Sequence, residues 1–98
     1  MNDAAMNTAT NNLKVLIVDD SFLMRRIIRN IVENDPALTI VGEAEDGVIA
    51  LEKVNELSPD IILLDIEMPN MDGIEFLRRS RLVTSAKVII ISSVARLD

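Results

Sequence analysis

The run Val15-Leu16-Ile17-Val18-Asp19-Asp20-Ser21 decides how the rest of the chain reads. Four apolar residues without polar alternation predict a strand buried on both faces, as strands of a parallel sheet are. The two acids that end the run fall beyond the carboxyl end of that strand, where open parallel sheets bind ligands. Ser21 has the chemistry of a helix N-cap. Three further short runs, at residues 38–41, 61–64 and 88–91, are equally apolar and rich in β-branched residues. Segments of helical period lie between them. Met24, Ile27, Ile28, Ile31 and Val32 predict the apolar face of a first helix, closed by Asp35-Pro36. Asp46 or Gly47 opens a second, with Ala50, Leu51, Val54 and Leu57 on one face before Ser58-Pro59. Asp72 caps a third that carries Ile74, Leu77 and Leu82. The order β-α-β-α-β-α-β predicts a doubly wound α/β parallel sheet.

Composition narrows the chemistry. The 98 residues fit one small domain, 49% of them are apolar, and only Phe22 and Phe76 are aromatic, so the core is aliphatic. A net charge of −6 argues against a nucleic-acid groove, which needs a basic face. With no cysteine and no histidine, disulfides, thiol or imidazole catalysis and zinc sites built on those residues are excluded. Carboxylate and carbonyl oxygen remain, the ligands preferred by magnesium, calcium or manganese. No apolar run approaches the ~18–20 residues of a membrane span. Residues 1–13 read as a flexible leader without the features of a signal peptide, and residues 14–98 as the domain, expected in the cytoplasm.

Asp65 follows the third apolar run as Asp19 and Asp20 follow the first. If those two strands are neighbours, three carboxylates converge, and each resists ionisation beside the others. A divalent cation relieves that repulsion, and magnesium accepts a site with few carboxylates and several waters. Any one strand-end acid is about as often a solvated loop residue. Three together, each directly after an apolar strand, are harder to read that way.

The segments VLIVDDS at 15–21, DIILLDIEMPNMDG at 60–73 and VIIISS at 88–93 resemble the receiver domain of two-component response regulators. The resemblance runs from about Lys14 to the end of the chain, and DDSFLMRRII and the double serine are similar to receivers of the chemotaxis methylesterase group. It implies the flavodoxin-like receiver fold with strand order 2-1-3-4. Asp65 is then the nucleophile that takes a phosphoryl group from a sensor histidine kinase, a histidine phosphotransfer domain or a small phosphodonor. Asp20, Asp65 and the backbone carbonyl of Glu67 hold Mg2+, with Asp19 in support, directly behind them or through water. Ser92 is the switch hydroxyl, and Ser93 offers its backbone N–H. Without the motif, a strand-end serine satisfied by backbone or water is the default for Ser92. Such a domain is a phosphoacceptor rather than an enzyme, and any effector enzyme lies outside this chain. Pro69 and Gly73 shape the loop after Asp65 and the entry to the third helix, Gly47 permits close backbone approach at the start of the second, and Met24, Met68 and Met71 fill core or loop. Arg25, Arg26 and Arg29 form a solvated helix face or a surface for the kinase.

The resemblance also implies what is missing. A full receiver has a fifth βα unit with a lysine that reaches the phosphoryl group, whereas the lysines here are Lys14, Lys53 and Lys87. At ~3.3 Å per residue Lys87 stands about 16 Å from Ser92. Residues 88–91 then become an apolar sheet edge, and homodimerisation or a domain swap is expected to cover it. The alternative function is therefore an assembly module with weak phosphorylation or none. A phosphatase of the haloacid dehalogenase kind fits less well, because it wants aspartate where Glu67 stands.

Overall fold

The computed structural model describes residues 12–68 and 71–91. In chain order its elements are β1 (Leu13–Val18), α1 (Phe22–Glu33), β2 (Leu38–Ala44), α2 (Gly47–Leu57), β3 (Ile61–Leu64), α3 (Gly73–Ser80) and β4 (Lys87–Ile90). All pairings are parallel and the order is β2-β1-β3-β4, the doubly wound arrangement expected. The caps expected at Ser21 and Asp72 are in place, and of the two openings read for the second helix it is Asp46 that caps. Ser21, Asp46 and Asp72 each accept from the backbone N–H three residues on, at Met24, Ile49 and Glu75, which satisfies donors a helix start leaves orphaned.

Side chains alternate between two cores, one on each sheet face. Leu16, Val18, Ile62 and Leu64 share one core with Val54 of α2 and Phe76 of α3. Val15 and Ile17 point toward Ile28 and Val32 of α1. Several strand limits differ from the sequence reading. β1 begins at Leu13, one residue before the boundary drawn from the sequence, because its N–H donates to the Ala37 carbonyl. β2 runs on to Ala44 and β4 spans Lys87–Ile90 rather than 88–91. Nor is β4 buried on both faces: Ile89 and Ile90 are about half exposed on the outer strand.

The helix faces are narrower than their periodicity suggested. Only Ile28 and Val32 of α1 are buried, whereas Ile27 and Ile31 are exposed, since α1 leans mainly on β2 and β1. In α3, Ile74 is exposed and Leu82 lies beyond the helix, while Phe76 is wholly buried. The close seat of Gly73 fixes that rotation. A Cβ on Gly73 would stand 2.3 Å from Ile66 Cα, so α3 starts hard against the loop after β3 and its next turn faces inward. Gly47 does the same for α2: a Cβ there would lie 2.7 Å from the Met71 carbonyl oxygen.

A β-bulge sits in β2. Val15 pairs with Ile40, but the next residue, Leu16, pairs with Gly42, which leaves Val41 as the extra residue. A one-residue shift reverses the facing of everything after it. Glu43 therefore pairs with Ile17 and comes out on the α1 face, where Arg25 and Arg29 meet it.

Candidate metal and phosphoacceptor site

Ladder hydrogen bonds carry each strand one residue past its end and set the acids level. Asp65 donates its N–H to the Val18 carbonyl at 2.8 Å, and Asp19 donates to that of Ala44 at 3.0 Å. β1 and β3 are direct neighbours, so Asp19, Asp20 and Asp65 come together, each with a carboxylate oxygen within 4.8 Å of the others. Asp19 and Asp65 are buried and Asp20 is exposed. Glu67 stands two residues on, its N–H donating to Asp65 Oδ1 at 3.1 Å, and Ser21 donates likewise to Asp19 Oδ1 at 2.8 Å.

These bonds only partly offset the crowding of negative charge. Burial, then the neighbouring charges of Asp19, Asp20 and Glu67, hold the Asp65 carboxyl above its ordinary range. Burial and Asp20 do the same to Asp19, against the Ser21 N–H and Arg25. Two buried carboxyls that resist ionisation, beside a third acid at the surface and with oxygen donors alone, suit a hard divalent cation.

The sign of the resulting pH dependence follows. A carboxyl whose folded pKa is raised binds protons more tightly when folded, so folding gains as the pH falls through that raised value. Without metal, Asp19→Asn or Asp65→Asn should therefore raise the melting temperature at pH 7. The gain should vanish below about pH 3, where the wild-type carboxyls are protonated too. Calorimetric melts of the metal-free proteins at the two pH values check this. An equal gain at both would trace the effect to something other than charge.

Other expected residues are elsewhere. Lys14 and Lys87 sit at the amino ends of β1 and β4, and Lys53 is in mid-α2, so no lysine is placed at the carboxyl ends of the strands. Ser92, Ser93 and Pro69 lie outside the described residues. Met68 and Met71 are core, as expected. Arg25 and Arg29 are not a plain solvated face. Both bind Glu43, and Arg25 Nη1 also donates to the Asp19 carbonyl oxygen at 2.7 Å. Sequence reasoning missed that link to the site. Its only trace was an arginine four residues past the Ser21 cap.

An open α/β sheet with a triad of acids at the carboxyl ends of two adjacent strands defines a class of oxygen-ligand sites at a sheet crevice. The chain belongs to the response regulator receiver domain family, whose pattern it matches over residues 15–98. It is 50% identical over 88 residues to the protein-glutamate methylesterase/protein-glutamine glutaminase of Treponema pallidum (strain Nichols), covering 89% of this chain and 22% of that protein. The chain thus spans about a quarter of the length of the curated relatives it matches. Its fold superimposes on the response regulator domain of Thermotoga maritima CheB with a TM-score of 0.82 at 44% identity, over 87% of this chain and 63% of that one. A chain in the complex of the CheA3 P1 domain with CheY6 from R. sphaeroides gives 0.76 at 45% identity, over 88% and 67%. The chain is a receiver domain of two-component signalling.

Proposed function

We propose that this receiver accepts a phosphoryl group on Asp65 from a phosphohistidine of a sensor kinase or phosphotransfer domain, and that the adduct shifts its conformation. The observation that carries the reading is the convergence of Asp65 with Asp19 and Asp20 beside the α1 start. An Asp65 carboxylate oxygen forms a bond to phosphorus as the P–N bond of the donor breaks. The imidazole leaves with that electron pair and takes up a proton, and the product is an acyl phosphate. Asp20, Asp65 and the Glu67 carbonyl would hold Mg2+, with Asp19 behind them. When bound, the ion supplies positive charge to the transferring group's oxygens. The chain's own part is positional: the Glu67 N–H fixes the rotamer of Asp65, and burial keeps bulk water off it. Ser92 is the proposed switch hydroxyl. Similarity to methylesterase receivers makes a chemotaxis kinase the first donor to try, and the cytoplasm the expected location. A phosphohistidine-labelled CheA P1-type domain should lose its label to this chain in Mg2+ and keep it in chelator. Retention in both would refute the donor class.

A second reading, assembly through a second copy, is favoured by one observation. Ile27 and Ile31 of α1 are exposed, and so are Ile89 and Ile90 of the outer strand β4. Burying apolar area is worth ~25 cal/mol per Å², so pairing there is expected. Light scattering should give a dimer at micromolar concentration, and Ile89→Lys should return it to monomer. A monomeric wild type would discard this reading.

A further inference from the structure

We infer that Arg25 is a positioning residue for the cation site, acting through the backbone of Asp19 rather than by its charge. The inference rests on the metal reading above. Arg25 lies in the first turns of α1 with only 12% of its side chain exposed. Its guanidinium makes two directed bonds: Nη1 to the Asp19 carbonyl oxygen at 2.7 Å and Nε to Glu43 Oε1 at 3.0 Å. Glu43 is in turn held by Arg29, Nε to Oε2 at 2.7 Å, and it faces α1 only because of the bulge at Val41. Glu43 is kept ionised: burial disfavours its charge, but the bonds from Arg29 and Arg25 outweigh that and hold its carboxyl below the usual range.

The backbone of Asp19 is thereby fixed on both sides. Its N–H, in the peptide before it, donates to the Ala44 carbonyl in β2, and its C=O, in the peptide that leads to Asp20, accepts from Arg25. Asp20 is exposed, and among the described residues no hydrogen bond orients its side chain, so its direction depends on the peptide that precedes it. A planar fork that spans a carboxylate and a carbonyl is specific to arginine, and a lysine ammonium cannot hold both in that geometry.

Charge and position make opposite predictions here. As a mere cation, Arg25 repels a metal ion, so removing its charge should tighten binding. As a positioning group, its loss loosens Asp20 and should weaken binding by about tenfold, the lower end of what support of a ligand contributes. Arg29 shares Glu43 and the charge but makes no bond to Asp19, which makes it the control.

The test uses the full 98-residue chain and Mn2+, with free Mn2+ read by electron paramagnetic resonance and folding checked by circular dichroism. Arg25→Gln and Arg25→Lys should both weaken Mn2+ binding about tenfold, while Arg29→Gln leaves it within about twofold. Should Arg25→Gln fail to fold, Arg25→Lys, which keeps the charge and most of the bulk, decides alone. Unchanged or tighter binding in the Arg25 variants overturns the inference, as does equal weakening in Arg29→Gln, which would make the Glu43 cluster merely structural. Wild type that binds no Mn2+ would remove the metal reading itself, an outcome distinct from the others.

Discussion

Asp65→Asn is expected to take up no phosphoryl group from any donor, under conditions in which the wild type is labelled. The amide keeps the shape of the carboxyl but is a far weaker nucleophile, so the loss should be complete rather than partial. Asp65 sits in a fixed place, its N–H tied to Val18 and its Oδ1 to the Glu67 N–H, so a neighbour cannot simply move into its position. The substitution should not unfold the chain, because it removes one of three mutually repelling charges. Intact-mass spectra after incubation with a small phosphodonor and Mg2+ read the result. Undiminished labelling of a folded Asp65→Asn protein would mean that a different residue accepts the group.

Phe76→Ala should be the most damaging single change to stability. Phe76 is the largest wholly buried side chain, set among Leu64, Ile62 and Met68 in the core below α2 and α3. Truncating such a residue removes about 3–5 kcal/mol, against a total of about 5–15 kcal/mol for a small domain. The melting temperature should fall by roughly 20 °C, if the variant folds at all. Ile74→Ala, two residues away but exposed, should change it by no more than about 3 °C. Comparable losses in the two variants would mean that α3 is rotated from the orientation described.

That pair also shows where sequence reading stops. Helical spacing alone favoured Ile74, Leu77 and Leu82 as the inward face of α3, and the spacing is compatible with more than one rotation. What selected Phe76 was a contact remote from any periodicity, the seat of Gly73 against Ile66 and the Asp65 carbonyl. The four strands, the three caps at Ser21, Asp46 and Asp72, and the acid triad were legible because each depends on adjacent residues and on one rule of sheet topology. The facing of Glu43 was not. It depends on a bulge that appears only when β2 is laid against β1, and without it Arg25 has no visible link to the site.

The exposed stripe on α1 teaches the same lesson in reverse. Ile27 and Ile31 have the period of a core face, yet the helix packs mainly on the β1–β2 side of the sheet and leaves both exposed. A pattern of apolar residues says that a surface wants cover. It does not say which element supplies it.

The proposal that Asp65 is the phosphoacceptor is tested most directly by chemical mapping of the adduct. The chain is incubated with a small phosphodonor and Mg2+, then reduced with borohydride, which converts an aspartyl phosphate to homoserine. Peptide mass mapping should find homoserine at position 65 and unmodified aspartate at 19 and 20. Homoserine at either of those positions, or a phosphoryl group that survives reduction on a hydroxyl, would show that the chemistry resides elsewhere.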